Sequence, residues 1–222
     1  MGWMIYLDSK IEHHTIAYKL KKSGASDTFT AAVVQSLKCA QSSWNPTIHP
    51  LRPYMAAVNL DLPASKKRYW LFDLRTGEVI TTARVAHGSK SGTIHRATEF
   101  SNIAGSKKSS LGLYWIAYSY WSGTTERRNT KLFGLDRGFN DNAKKRAIIL
   151  HPAHSSKRSG GDYVTDSAVT GRSDGCIALN RESYAEAEER LTFGGLIFQY
   201  ATAKSDGKDF HQEAWSVNCS KQ

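Results

Sequence analysis

Residues 66–80 read KKRYWLFDLRTGEVI, two apolar runs rich in aromatic residues that are separated by a Thr-Gly pair. Aromatic and β-branched residues favour strands, and Thr76-Gly77 between such runs indicates a hairpin turn. Short runs of this kind recur along the chain, at 54–62, 68–74, 78–88, 111–121, 146–152 and 195–202. The sequence therefore predicts a mainly β domain.

Helical periodicity is confined to a few segments. Residues 27–41 place apolar side chains on one helical face behind Ser26 or Asp27 as the N-cap, namely Phe29, Val33, Leu37 and Ala40. Asn180 is a predicted cap for a second helix, RESYAEAEERL, whose inward residues are Tyr184, Ala187 and Leu191. Three prolines in 42–53 mark a break. We expect a helical extension over 1–53 packed on a β domain over 54–203, and a tail over 204–222.

Length and charge limit the classes of protein. A chain of 222 residues that is 40% hydrophobic can bury one core, and it contains no apolar run long enough to span a bilayer. Lys and Arg exceed Asp and Glu by 30 − 20 = 10, which suits an anionic partner such as nucleic acid, a membrane surface or a cell-wall polymer, or serves solubility alone. The basic residues are scattered in twos and threes without a nucleic-acid motif, so nucleic acid is not the expected partner.

Three cysteines leave several arrangements open. Cys39 and Cys219 can form a disulfide that leaves Cys176 reduced, or all three can be reduced and buried. Cys176, within GRSDGCIALN (171–180), can itself be buried filler, half of a disulfide, a metal ligand or a nucleophile. The sequence has no CxxC motif, and His151 and His154 would point to opposite faces of a strand, so no metal site is expected.

A nucleophilic cysteine needs a base or a positive field and a partly exposed position. A long polar loop joins His151, at the end of the apolar run RAIILHP, to Cys176. Arg172 would favour the thiolate, and Gly175 would let the chain turn and a substrate carbonyl approach backbone N–H donors. Ser173 could hydrogen-bond the local backbone or orient the imidazole. From these residues alone, a structural Cys176 remains as good an interpretation as a catalytic one.

Further segments carry a resemblance. The chain resembles the L,D-transpeptidase catalytic domain family, in its YkuD-like murein branch. The matching blocks follow the family's order: KKRYWLFDLRTGEVI (66–80), VAHGSKSG (85–92), SSLGLY (109–114), GFNDNAKKRAIILH (138–151) and GRSDGCIAL (171–179). The resemblance covers about two thirds of the chain, from Tyr54 to Tyr200. It implies a YkuD-like β-sandwich or barrel with a few peripheral helices.

The resemblance also implies roles for individual residues. Cys176 matches the family's nucleophile, which forms a thioester with the peptidoglycan stem peptide, and His151 matches the general base. Gly175 and Ser173 belong to the same catalytic signature. A backbone carbonyl, rather than a carboxylate, is the group that commonly orients the histidine. No metal or organic cofactor is implied.

Two positions depart from the family pattern. Asp174 stands where relatives commonly have His or Trp, and Ala178 stands where many have Arg. A nearby aspartate raises a thiol pKa, so Asp174 could weaken the nucleophile, bind a cationic acceptor, or point into solvent.

Three further residues are candidate substrate contacts. Arg172 could bind a carboxylate of the stem peptide. His87, in VAHG, could contact substrate or be a hydrogen-bonded structural histidine. Asn140, in GFNDNA, could do the same or fix a turn, the role that we favour.

The function that the resemblance implies is L,D-transpeptidation of tetrapeptide stems through a Cys176 thioester. Water in place of an acceptor amine would make the same site a carboxypeptidase or endopeptidase. A non-catalytic peptidoglycan-binding module is the alternative from another class, and a basic nucleic-acid-binding protein is a lesser one. Peptidoglycan stem peptides are the expected partner, without stable membrane insertion, and the sequence does not determine an oligomeric state.

The implied substrate suggests a location in the periplasm or cell envelope. The start, MGWMIYLDSKIEHH, has no basic segment followed by a long apolar stretch, so this chain shows no intact secretory signal. A protein delivered into a rival's periplasm is a minor alternative.

Overall fold

The computed structural model describes residues 11–43, 51–125, 127–153 and 172–218. Within them the helices are α1 (His13–Lys22), α2 (Asp27–Ser43), α3 (Arg181–Leu191) and α4 (Phe210–Asn218). The strands are β1 (Tyr54–Asn59), β2 (Tyr69–Asp73), β3 (Val79–Ala83), β4 (Val85–Ala86), β5 (Gly112–Ser122), β6 (Arg127–Gly134), β7 (Ile149–Pro152), β8 (Ile177–Leu179) and β9 (Leu196–Tyr200). The predicted mainly β fold is confirmed.

The strands of the described residues form one sheet in the order β3-β2-β1-β9-β5-β6-β7-β8-β4. Its two edge strands, β3 and β4, are separated in the chain by Arg84 alone. Because one residue spans only about 3.5 Å, the two edges must lie close together, and the sheet curls into a nearly closed, barrel-like layer. Two neighbouring pairs are parallel, β1 with β9 and β7 with β8.

Both predicted helices are confirmed. The apolar face of α2 is buried, and the Phe29 amide donates to Ser26 Oγ at 3.4 Å, which identifies Ser26 as a cap. At the start of α3, the Ser183 amide donates to Asn180 Oδ1 at 2.8 Å. The Thr76-Gly77 turn also lies between β2 and β3 as predicted, with Gly77 at φ +68°.

Several elements differ from the sequence prediction. Arg84 divides the predicted strand 78–88 into β3 and β4, because the chain passes there from one sheet edge to the other. The strand β6, RRNTKLFG, was missed because charged and polar residues interrupt its alternation. Helix α4 lies in the segment predicted as a tail, and its Phe210 packs in the core against Phe139 with ring centroids 5.2 Å apart.

One hydrophobic cluster joins the N-terminal helices to the sheet. Phe29 of α2 lies with its ring centroid 5.1 Å from that of Trp70 and 5.4 Å from that of Tyr200. Cys39 of α2 is disulfide-bonded, and Cys219, its predicted partner, lies outside the described residues. No helix in the described part of the chain has the length and apolar character needed to cross a membrane.

Candidate active site

The parallel strands β7 and β8 bring His151 and Cys176 to the same face of the sheet. Leu150 pairs with Ile177 and His151 with Ala178, and Cys176 immediately precedes β8. Because side chains alternate along a strand, Cys176 points to the same side as Ala178 and therefore as His151. From ordinary strand spacings the two Cα atoms lie about 8 Å apart, a gap that an imidazole and a thiol side chain can bridge.

The imidazole of His151 is buried, with 2% of the residue exposed, and its Nδ1 lies 3.0 Å from the Pro152 carbonyl oxygen. A carbonyl oxygen can only accept, so Nδ1 carries the proton in this hydrogen bond and Nε2 of the neutral ring keeps a lone pair. The Pro152 carbonyl thus takes the orienting position that the resemblance assigned to a backbone carbonyl. It accepts a second hydrogen bond from Arg127 Nη1 at 3.1 Å.

Cys176 is a partly exposed, reduced thiol. Its Sγ donates to the carbonyl oxygen of Ala147 at 3.7 Å. Ala147 has a positive φ of +53° and ends a turn in which the Ile148 amide donates to Ala143 O at 2.9 Å. This is the αL position at which chains commonly leave a helical turn, and here it directs the carbonyl towards the thiol.

A short turn held by Ser173 presents the cysteine. Ser173 Oγ donates to Cys176 O at 2.6 Å and accepts the Gly175 amide at 3.2 Å. The Gly175 amide is therefore directed to Ser173. Gly175 has φ +111°, and a Cβ at this position would lie 2.6 Å from the Lys108 carbonyl oxygen, so both the conformation and the space require glycine.

The predicted substrate contact His87 is fully buried. Its Nδ1 accepts from Arg68 Nη2 and its Nε2 donates to Thr93 O, both at 2.8 Å. Burial, followed by the positive charge of Arg68, lowers the pKa of His87 to about 4, so the ring is neutral at pH 7. Burial also lowers the pKa of Arg68 to about 9. His87 therefore presents no atom to a substrate, and it supports Ser173, whose amide donates to His87 O at 3.0 Å.

The predicted contact Asn140 is also buried. Its Oδ1 accepts the Asp136 amide and its Nδ2 donates to Leu113 O, both at 2.9 Å. These bonds fix the turn that ends at Arg146 and Ala147, which agrees with the turn-fixing role that we favoured. Arg172 is partly exposed, and its Nη1 donates to Gly92 O at 2.6 Å.

A pocket of about 350 Å³ opens beside the end of β7. Its lining includes Pro152, Trp121 and three arginines, Arg127, Arg128 and Arg181. Arg128 Nε pairs with Glu188 Oε1 at 2.6 Å, and Arg127 Nε is buried without a hydrogen-bond partner among the described residues. The lining carries a net positive charge, and the carbonyl of its residue Pro152 is the one that accepts from His151 Nδ1.

Two residues beside the thiol were missed from the sequence. Arg146 is half-buried, and Ala147 offers its carbonyl to Cys176. Their position in GFNDNAKKRAIILH, directly before the strand that carries His151, was the available signal.

Comparison with known proteins identifies the family of the chain. The model of the L,D-transpeptidase catalytic domain family matches residues 21–200. The search of curated proteins found no match. Similar solved structures include an L,D-transpeptidase from Mycobacterium smegmatis (12% identity, TM-score 0.40, 68% of this chain and 59% of that chain) and one from Stackebrandtia nassauensis (16%, 0.38, 87% and 78%). A third is from Xylanimonas cellulosilytica (15%, 0.37, 84% and 78%).

The chain thus spans less than two thirds of the first of these structures. The family model covers most of the chain, and its matched range includes β7, the turn that presents Cys176, and β8. The chain belongs to the L,D-transpeptidase catalytic domain family.

Proposed function

We propose that this protein is a peptidoglycan L,D-transpeptidase whose nucleophile is Cys176 and whose general base is His151. The observation that carries the proposal is the arrangement of the pair: a partly exposed thiol and a buried imidazole on one sheet face, with Nδ1 held by the Pro152 carbonyl. This leaves Nε2 as the basic nitrogen, the state that a nucleophilic cysteine requires of its partner.

In the acylation step, His151 Nε2 takes the proton of the Cys176 thiol. The sulfur then attacks the carbonyl carbon on the L-configured centre of the third stem residue, diaminopimelate in a tetrapeptide stem. A C–S bond forms, the C–N bond to the terminal D-Ala breaks, and the imidazolium returns its proton to the departing amine. The second step is attack of an acceptor amine on the thioester, which regenerates the thiol and forms the cross-link.

The basic surroundings of the site suit an acidic substrate. Stem peptides carry carboxylates, and we assign the acidic portion of the substrate to Arg172 and to the arginines of the pocket beside Pro152. The remaining lining residue of interest is Trp121, which is 64% exposed and offers an apolar face to a glycan or peptide. We place this activity at the cell envelope, where peptidoglycan is found.

The experiment that tests the proposal is incubation of the protein with disaccharide-tetrapeptide, followed by mass analysis of the muropeptides and measurement of released D-Ala. Cross-linked dimers and free D-Ala are expected with the wild type, and neither with Cys176→Ala. Release of D-Ala without dimers would identify a hydrolase that uses the same acylation step. Binding of intact substrate by both proteins, without turnover, would favour a non-catalytic binding module.

A further inference from the structure

Arg146 is held beside the nucleophile by four hydrogen bonds. Its Nη1 donates to Ser101 O at 2.7 Å and to Ser110 Oγ at 2.6 Å. Its Nη2 donates to Ser106 Oγ at 3.2 Å and to Lys108 O at 2.6 Å. All four acceptors are neutral, and among the described residues no carboxylate pairs with this side chain. The guanidinium is therefore fixed in place while its positive charge is not cancelled by an ion pair.

The guanidinium faces the turn that presents Cys176. A Cβ at Gly175 would lie only 3.1 Å from Arg146 Nη2, so the missing side chain of Gly175 is what allows this approach. The next residue along the same turn is Cys176. The residue after Arg146, Ala147, accepts the thiol hydrogen bond, so consecutive residues of one turn supply a cation and a carbonyl to the thiol region.

Electrostatic coupling between the two side chains agrees with this geometry. Burial lowers the pKa of Arg146, whereas the negative charges that Tyr114, Cys176 and Asp206 carry when ionised raise it, in that order of size. A charge–charge interaction is mutual: a thiolate that favours the charged guanidinium is favoured by it equally.

The other groups near Cys176 either affect the ionisation of its thiol less strongly than Arg146 or oppose it. The Ala147 carbonyl favours the neutral thiol, but S–H is a weak donor, whereas Arg146 carries a full charge in a half-buried site. Asp174 opposes the thiolate, but it is exposed and lies near Lys107. His151, on β7, supplies the base. Arg172, which lies outside this strand, is directed towards Gly92. Arg146 is therefore a cation that is fixed beside the turn of Cys176.

We propose that Arg146 is a positioning residue that stabilises the thiolate form of Cys176 through the turn opened by Gly175. The inference rests on the proposed function only in taking Cys176 as the reactive thiol. In the step it describes, the S–H bond breaks, the proton passes to His151 Nε2, and the electron pair stays on Sγ beside the guanidinium. No oxidant, reductant or further reactant takes part.

The test is the pH dependence of Cys176 alkylation by iodoacetamide, followed by peptide mass mapping so that this cysteine alone is scored. The wild type is expected to show an inflection below the ordinary thiol pKa of about 8.5. Arg146→Gln is expected to raise the inflection by about one to three pH units, the usual effect of removing an opposite charge. Arg146→Lys, which keeps the charge, is expected to retain most of the lowering.

A matched control separates charge from packing. Ser110→Ala removes one of the same hydrogen bonds without changing charge, so it is expected to leave the inflection within about 0.3 units of the wild type. An unchanged inflection in folded Arg146→Gln, or an equal rise in Ser110→Ala, would overturn the proposal. If Arg146→Gln does not fold, the wild type decides, since an inflection at or above about 8.5 contradicts the proposal and a lower one, retained in Arg146→Lys, supports it. Because no peptidoglycan is present, the result is independent of whether the protein cross-links stem peptides.

Discussion

The ammonium nitrogen of Lys107 lies 3.4 Å from a carboxylate oxygen of Asp174, two residues before Cys176 in the chain. Asp174 is also exposed, with 68% of its side chain accessible to solvent, and Ser89 Oγ lies 3.5 Å from its other oxygen. Of the three fates considered for this aspartate, the structure places it in solvent beside a cation. Its negative charge is therefore screened from the thiol.

Asp174→Asn should leave the nucleophile nearly unchanged. Exposed ion pairs are worth about 0–1 kcal/mol, so we expect the alkylation rate of Cys176 at pH 7 to change by less than about fivefold. The measurement is the pseudo-first-order rate with iodoacetamide for the wild type and the variant. A rise of tenfold or more would show that Asp174 does suppress the thiolate.

Gly175→Ala should disturb the site severely. An alanine there would adopt φ +111° and place its Cβ 2.6 Å from the Lys108 carbonyl oxygen, so the turn must shift. We expect the free energy of unfolding to fall by about 1–3 kcal/mol and activity towards tetrapeptide to be lost. Urea denaturation and the muropeptide assay measure the two effects.

Gly105→Ala is the matched control for this change. Gly105 also has a positive φ, +77°, but no atom of the described residues lies within 4 Å of an added Cβ. Gly105→Ala should therefore lower the free energy of unfolding only by the backbone strain, about 1 kcal/mol, and should retain activity. Equal losses in the two variants would mean that the contact with Lys108 is unimportant.

Because His87 is buried and its pKa is lowered, we expect the stability of the protein to depend on pH. Its folded pKa of about 4 lies below the ordinary value of about 6.5, so between these values the unfolded chain takes up a proton that the folded protein does not. The free energy of unfolding should therefore fall as pH drops from 6.5 to 4, by about 3 kcal/mol from this group, and this group should have no effect above pH 6.5.

Urea midpoints measured across pH 4–8 check this contribution. His87→Gln keeps a donor that can serve Thr93 but does not titrate, so it should be less stable at pH 7 and show a flatter profile between pH 6.5 and 4. A variant profile as steep as that of the wild type would assign the acid sensitivity to other groups.

We expect the arginines that line the pocket beside Pro152 to contribute to substrate binding. Arg181→Gln should raise KM for the tetrapeptide by about three- to tenfold with little change in kcat, if the pocket binds a substrate carboxylate equally in the ground and transition states. Arg137→Gln, an exposed arginine outside the pocket lining, is the charge-matched control. An equal rise in KM in the two variants would mean that the net charge of the protein, and not the pocket, affects substrate binding.

The class of fold could be predicted from the sequence, because short β-rich runs are local patterns. The GRSDGCIAL block is also a local pattern, and it indicated Cys176 as the candidate nucleophile. The sequence could not show that β7 and β8 are parallel neighbours, since their register depends on pairing between segments far apart in the chain. For the same reason the sequence could not show that Arg146 is half-buried: its burial comes from acceptors at 101–110, far away in the sequence. His87 looked like a substrate contact because burial and its bond to Arg68 are tertiary effects.

As a nucleophile with His151 as its base, Cys176 should become acylated by the tetrapeptide substrate. The most direct measurement is the intact mass of the protein, quenched in acid seconds after mixing with disaccharide-tetrapeptide. We expect an adduct equal to the substrate minus D-Ala, mapped to Cys176. It should be absent in Cys176→Ala and form at least about a hundredfold more slowly in His151→Ala. A folded wild-type protein that turns over or binds the substrate without any adduct at Cys176 would contradict this expectation.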